Sequence, residues 1–216
     1  MMIFDKFNKK NKNNKSNKGW LHNHKNDFYV RQARENNLRS RASYKIMEID
    51  NKFHIIGSNN KILDVGCAPG GWCQILNKNN NKVWGVDILS MKTIDGVQFH
   101  QMDITTNDGQ DFREYYIKEV GLRGFDGIVS DAACNTTGNT MTDHFRTTAI
   151  NLLVIDQLPY LLKNGGSWVF KTFNGSDTPD IIKNLKQQFN KVTTFKPNSS
   201  KSQSKEIYVV CLGYKN

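Results

Sequence analysis

Lys45, Asp131, Lys171 and Glu206 lie far apart in this 216-residue chain, yet they fall at one edge of one sheet once its strands are laid out. Two amines set among two carboxylates can hold a weakly acidic hydroxyl, take its proton and balance the resulting charge. A lone surface ion pair contributes little to stability and is functionally silent. Four such groups delivered to one rim from separate elements point instead to an active site. The same edge carries the glycine-rich turn Asp64-Val65-Gly66-Cys67-Ala68-Pro69-Gly70-Gly71-Trp72.

The elements that must position these residues follow from periodicity and turn chemistry. Tyr29 to Asn36 and Ser40 to Phe53 read as short helices, with Tyr44, Met47 and Phe53 facing inward in the second. Strands are expected at Lys61–Val65, Lys82–Ile88, Val97–Met102, Phe125–Ser130, Ser167–Phe173, Val192–Phe195 and Glu206–Leu212. Between them, helices are expected from Gly71 to Leu76, Gln110 to Val120, Phe145 to Leu162 and Thr178 to Phe189. Pro159 should kink or shorten the third of these, and Asn164-Gly165-Gly166 should turn the chain into the next strand. Such alternation predicts an α/β fold with a doubly wound, mostly parallel sheet. The link from Lys196 to Lys205 is too short for a parallel crossover, so the last strand should run antiparallel. Open parallel sheets bind ligands at the carboxyl ends of their strands. Asp131 and Lys171 belong to such ends, and an antiparallel last strand begins there with Glu206.

Gly66, Ala68 and Gly71 fit a loose G-x-A-x-x-G, and Asp87 follows about 20 residues later. Alone, this suits a dinucleotide, another adenosine cofactor whose ribose diol Asp87 would bind, or a tight turn with no ligand. Three details favour S-adenosylmethionine. Pro69 replaces the helix-opening geometry that would present amides to a pyrophosphate. Asp103, beside Ile104 at the end of the third strand, is suited to accept from an adenine amine. Asp131 puts a carboxylate where a sulfonium and an ammonium would sit, and where a pyrophosphate would be repelled. Cys67, Gly70, Trp72 and Ile88 complete the residues expected against the cofactor.

The segments Ser40-Arg41-Ala42-Ser43-Tyr44-Lys45, Asp64–Trp72, Ser130-Asp131, Val169-Phe170-Lys171, Lys196-Pro197 and Glu206-Ile207-Tyr208 resemble the FtsJ family of ribose 2′-O-methyltransferases. The likeness runs from about Trp20 to the C-terminus. It implies a seven-stranded Rossmann-like methyltransferase sheet with an antiparallel last strand, S-adenosylmethionine as cofactor, and a catalytic set on Lys45, Asp131, Lys171 and Glu206. Where the family usually has Met-Ala-Pro-Asn after the aspartate, this chain has Ala132-Ala133-Cys134-Asn135, which relaxes that loop. Cys134 has no positioned histidine partner and reads as a packed thiol rather than a nucleophile. Lys171 is the expected base. A lysine acts so only when neutral, a form favoured by positive charge from Lys45 and a sulfonium. Asp131 and Glu206 would orient the two amines.

The formal charge is +10, of which seven lysines and Asp5 within residues 1–26 supply +6. This Lys/Asn-rich stretch is expected to be a disordered tail or targeting segment, ahead of a single domain over 27–216. No apolar run approaches the roughly 20 residues that span a bilayer. Four cysteines without a CxxC pair argue against zinc and a disulfide framework. Arg31, Arg34, Arg39 and Arg41 near the second helix, and Lys196, Lys201 and Lys205 near the last hairpin, suit phosphate attraction. Asn135-Thr136-Thr137-Gly138 and Thr142-Asp143-His144 look closer to the bacterial and organellar ribosomal branch than to the transfer RNA branch. The expected partner is therefore large-subunit ribosomal RNA or the assembled large subunit, modified at a uridine near the peptidyl-transferase centre by a monomer. The compartment would be a bacterial-type cytoplasm or an organelle with bacterial-type ribosomes, a mitochondrion before a plastid. Rival readings are a transfer RNA methyltransferase, a non-catalytic RNA-binding or ribosome-assembly module, and a nicotinamide oxidoreductase.

Overall fold

A computed structural model describes residues 27–132, 140–173, 175 and 177–215, with backbone alone at 140–144. The expectations for residues 1–26, for Cys134, Asn135 and the rest of 133–139, and for the side chains of Thr142, Asp143 and His144 lie outside the described residues. Seven strands, β1 (Lys61–Val65), β2 (Lys82–Asp87), β3 (Val97–Gln101), β4 (Phe125–Ser130), β5 (Leu162–Phe173), β6 (Phe189–Phe195) and β7 (Glu206–Tyr214), form one sheet. Its order is β3-β2-β1-β4-β5-β7-β6. Pairing is parallel from β3 through β5, and β7 runs antiparallel to both β5 and β6.

The helices are α1 (Phe28–Glu35), α2 (Ser43–Phe53), α3 (Gly71–Leu76), α4 (Gln110–Val120), α5 (Thr140–Leu161) and α6 (Thr178–Gln188). Successive strand residues alternate between the two faces of the sheet, so each strand feeds two cores. Leu63, Trp84, Ile128, Trp168 and Val209 join the core beneath α4, α5 and α6. Their neighbours Ile62, Val83, Val129, Val169 and Val210 pack with α2 and α3. Continuous apolar strands are what a sheet covered on both faces requires.

Several expected boundaries shift for identifiable reasons. Strand β5 begins at Leu162, because the expected Asn164-Gly165-Gly166 turn is a bulge within it. Phe125 pairs with Leu162 and Gly127 with Ser167, and Gly165 takes φ +80°. Helix α5 continues through Pro159 to Leu161. The Pro159 and Tyr160 carbonyl oxygens accept from Arg123 Nε and from the Arg123 amide at 3.1 and 2.6 Å. Strand β6 starts at Phe189 rather than Val192, since Phe189 pairs with Tyr214 and is itself buried.

On α2, Met47 and Phe53 pack against the core as expected, and the correction concerns Tyr44 and Lys45. The buried residues of this helix are Ser43, Lys45, Ile46 and Ile49. Tyr44 is only half-buried, packed on Tyr29 and accepting from Asn36 Nδ2 at 2.8 Å. A lysine therefore sits on the stripe that the helix turns toward the sheet.

Candidate active site

The order of the sheet reverses between β1 and β4, and the crevice at that switch point opens beyond Val65 and Ser130. A cleft there is lined by Ser40, Ala42, Asp64, Gly66, Trp72 and Asp131, among others. Gly66 has φ +74°, and a Cβ on it would come within 2.5 Å of the Ala132 Cβ. The turn can thus follow β1 so closely only with glycine at that position. At Gly71 a Cβ would lie 2.2 Å from Ser40 Oγ. Helix α3 is consequently pressed against the entry to α2, where Ser43 Oγ donates to the Gly71 carbonyl at 2.8 Å and Trp72 Nε1 to that of Ala42 at 2.8 Å. These bonds carry the start of α2, and with it Lys45, onto the strand edge.

Asp131 stands one residue beyond β4. Lys171 Nζ donates to its main-chain oxygen at 2.5 Å and to Oδ1 at 2.9 Å. Tyr208 OH donates to the same Oδ1 at 2.6 Å. Lys45 Nζ lies 3.8 Å from that oxygen and 2.8 Å from Glu206 Oε1. All four residues singled out from the sequence therefore meet. Register explains much of this. On the antiparallel pair, Lys171 is directly opposite Tyr208 and Phe173 opposite Glu206. Residues two apart share a face, so Glu206 and Tyr208 emerge on the side where Lys171 points. The Lys171 carbonyl is held in turn by Asn151 Nδ2 of α5 at 2.9 Å.

Sequence reasoning missed Tyr208 as a site residue, although it had quoted Glu206-Ile207-Tyr208. The available signal was the two-residue step from Glu206, which puts both side chains on one face. The Tyr208 ring is fully buried, 5.8 Å from that of Trp72 and 5.5 Å from Lys45 Nζ. It thus links the glycine turn to the charged cluster.

Two carboxylates in the cleft are driven in opposite directions. Burial alone would raise Asp131, but Lys171 and Lys45, helped by the donated hydrogen bonds, outweigh it and hold the carboxyl below the usual range. Asp64 lacks such cations. Burial pushes it up to about 7, the thiol of Cys73 offsets part of this by donating at 3.1 Å, and Asp131 and Asp87 add repulsion. Its other oxygen, Oδ1, is buried without a partner.

Cys67, Ala68 and Pro69 also line the cleft, whereas Gly70, Asp87, Ile88, Asp103 and Ile104 fall outside its lining. Asp87 ends β2 and is tied to the turn, accepting from the Ala68 and Leu89 amides at 2.8 Å each. Asp103 follows β3 and is held below its usual range by hydrogen bonds from Thr105. Ile88 is largely exposed and Ile104 buried.

The basic residues divide differently from the sequence expectation. Arg39 donates to the carbonyl oxygens of Pro69, Lys92 and Thr93, bracing the glycine turn. Arg41 pairs with Asp27 and donates to the Ser199 carbonyl, and Lys196 donates to that of Ser204. These three are committed to the fold. Arg31, Arg34, Lys201 and Lys205 are exposed.

Because Asp64 keeps a proton in the folded chain that the unfolded chain releases near pH 4, its stabilising contribution is complete below that pH. It is lost as pH rises through 7. Asp64→Asn removes this dependence. Urea unfolding should show the variant gaining on the parent chain by on the order of 2 kcal/mol between pH 5 and pH 8. A difference independent of pH would contradict the buried, partner-poor carboxyl.

The chain is similar to known proteins over most of its length. The chain is 39% identical over 195 residues to a Ribosomal RNA large subunit methyltransferase E of Wolbachia sp. subsp. Brugia malayi, covering 90% of this chain and 88% of that protein. The protein of the same description from Francisella philomiragia is 38% identical over 201 residues, covering 92% and 96%. A solved ribosomal RNA methyltransferase chain from Plasmodium falciparum superimposes with TM-score 0.71 at 36% identity, over 82% of this chain and 98% of that one. Residues 38–214 match the model of the FtsJ-like methyltransferases, and this chain belongs to that family.

Proposed function

We propose that this chain transfers a methyl group from S-adenosylmethionine to a ribose 2′-hydroxyl of large-subunit ribosomal RNA, at a uridine near the peptidyl-transferase centre. The observation that carries the reading is the meeting of Lys171, Lys45 and Tyr208 on one oxygen of Asp131, at the mouth of a cleft floored by the glycine turn. The names of the relatives supply the ribosomal RNA and favour it over transfer RNA.

The cleft fits the cofactor by its own chemistry. Gly66 and Gly71 line the cavity without a side chain, each packed too closely on Ala132 or Ser40 to carry one, and Asp64, also in the lining, keeps one oxygen buried without a partner. An ammonium group held beside Asp64 would favour its ionised carboxylate. Asp87 and Asp103 would take the ribose hydroxyls and the adenine amine. When bound, S-adenosylmethionine supplies an activated methyl group on a sulfonium. Lys171 is the amine placed to accept the proton of the ribose hydroxyl as the oxygen becomes nucleophilic. Asp131 stays ionised and keeps the Lys171 nitrogen aimed. Glu206 does the same for Lys45, whose charge stabilises the developing negative oxygen. Arg31, Arg34, Lys201 and Lys205 remain available to phosphates on either side.

Incubation with labelled S-adenosylmethionine and large subunits lacking the modification should place label on a ribose, and Lys171→Ala should reduce transfer about 100-fold or more. Label in transfer RNA alone would overturn the substrate. No label in either RNA would leave a binding module as the function. Tyr208→Phe removes one donor from Asp131 and should slow single-turnover transfer about tenfold, while destabilising the chain by about 1–3 kcal/mol. An unchanged rate would remove Tyr208 from the positioning of Asp131.

A further inference from the structure

The pair Lys45–Glu206 joins a helix and a strand from opposite ends of the chain, so something must hold α2 against the loop that delivers Glu206. We propose that Glu48 is a positioning residue of the active site, its carboxylate fixing the β6–β7 loop so that Glu206 meets Lys45. This deepens the functional reading above and rests on it.

Glu48 follows Lys45 by three residues, so both project from one side of α2 about a turn apart. Its two oxygens are used separately. Oε2 accepts from the Asn198 amide at 2.6 Å and Oε1 from the Ser199 amide at 2.9 Å. Hydrogen bonds to a charged acceptor are the strong ones, and two on consecutive amides fix both position and orientation of a peptide. Arg41, just ahead of α2, donates to the Ser199 carbonyl. Both main-chain polar groups of Ser199, a fully buried residue, are thereby held from the α2 segment. Phe53, at the other end of α2, packs edge-on against Phe195 at 5.6 Å, where the loop leaves β6.

From this anchor the loop runs to Glu206 through two hydrogen-bonded turns. The Ser200 amide donates to the Pro197 carbonyl at 3.0 Å and that of Ser204 to Lys201 at 2.9 Å, and the Glu206 amide donates to Ser204 Oγ at 3.2 Å. A shift at residues 198–199 is thus passed on to the carboxylate that pairs with Lys45. Glu48 does not line the cleft. Its effect should therefore fall on the alignment of the amine and not on cofactor affinity.

The test uses the full chain with Glu48→Gln, Glu48→Asp, Glu206→Gln and the Glu48→Gln/Glu206→Gln double variant. Glu48→Gln keeps the shape but loses the charge and one acceptor. Its kcat should fall about tenfold, in line with the sensitivity of catalysis to small misplacements. Affinity for S-adenosylhomocysteine should stay within about twofold, and amide exchange at Asn198, Ser199 and Glu206 should quicken. Glu48→Asp should recover part of the rate. Once Glu206 is already Gln, the further Glu48→Gln change should cost less than about twofold, because both act through one pair. Equal losses in both backgrounds, a kcat loss matched by loss of cofactor binding, or an unchanged kcat would each overturn the proposal. If the parent chain methylates no RNA at all, the functional reading fails. The positioning claim is then decided by amide exchange at Glu206, which must quicken in Glu48→Gln for the claim to stand.

Discussion

One carboxylate oxygen organises the site. Asp131 Oδ1 receives Lys171 and Tyr208 in direct hydrogen bonds and has Lys45 within 4 Å. Removing a carboxylate from water is costly, and leaving two lysines buried without it would cost more. Withdrawing Asp131 takes from Lys171 its carboxylate partner, while Lys45 keeps Glu206 at 2.8 Å. Lys45 and Lys171 are each less than one-tenth exposed, which is rare for lysine unless it is paired. The cluster is thus a structural commitment of α2, β4, β5 and β7 as well as the set of groups proposed to carry the chemistry.

The topology makes this meeting unavoidable. Parallel β4 and β5 bring Asp131 and Lys171 out at the same end of the sheet, and reversing only β7 starts that strand where the others finish. Had β7 run parallel, Glu206 would open at the opposite edge and Lys45 would lack its 2.8 Å partner. The glycine turn shares the edge because β1 neighbours β4 across the switch point. Two carboxylates in one cleft then take opposite characters. Asp131 is held ionised by lysines, so its stabilising contribution is lost only as pH falls below the ordinary carboxyl range. Asp64 has no cation beside it, and burial keeps its proton on up to about pH 7.

Much of this was legible in the sequence, and the exceptions have physical causes. The strands read clearly because a doubly covered sheet is apolar on both faces, as in Lys61–Val65 and Phe125–Ser130. Asp131 and Lys171 could be placed because both lie at or next to strand ends. The antiparallel β7 followed from the ten-residue link before it. Met47 and Phe53 of α2 pack against the core as expected, but Tyr44 does not, and no apolar pattern announces that Lys45 belongs to the buried stripe. Only its partners Asp131 and Glu206, 86 and 161 residues further on, make that burial tolerable. Arg39 and Arg41 looked like phosphate ligands because composition records charge but not the carbonyl oxygens that long-range folding presents to it. Tyr208 was passed over for a related reason. Its chemistry lies in a hydroxyl whose acceptor is set by cross-strand register, not by local spacing.

The most direct test of Asp131 as the organising charge is single-turnover methyl transfer by Asp131→Asn, at saturating S-adenosylmethionine and ribosomal subunits. Unfolding would be followed on the same preparation. Asparagine keeps the shape but removes the charge that holds Lys171 and lies within 4 Å of Lys45. The expected result is a chain that still unfolds cooperatively, with the chemical step slowed about 100-fold or more. Transfer within about threefold of the parent chain would show that the lysines keep their places without Asp131, and the central role given to its carboxylate would be wrong.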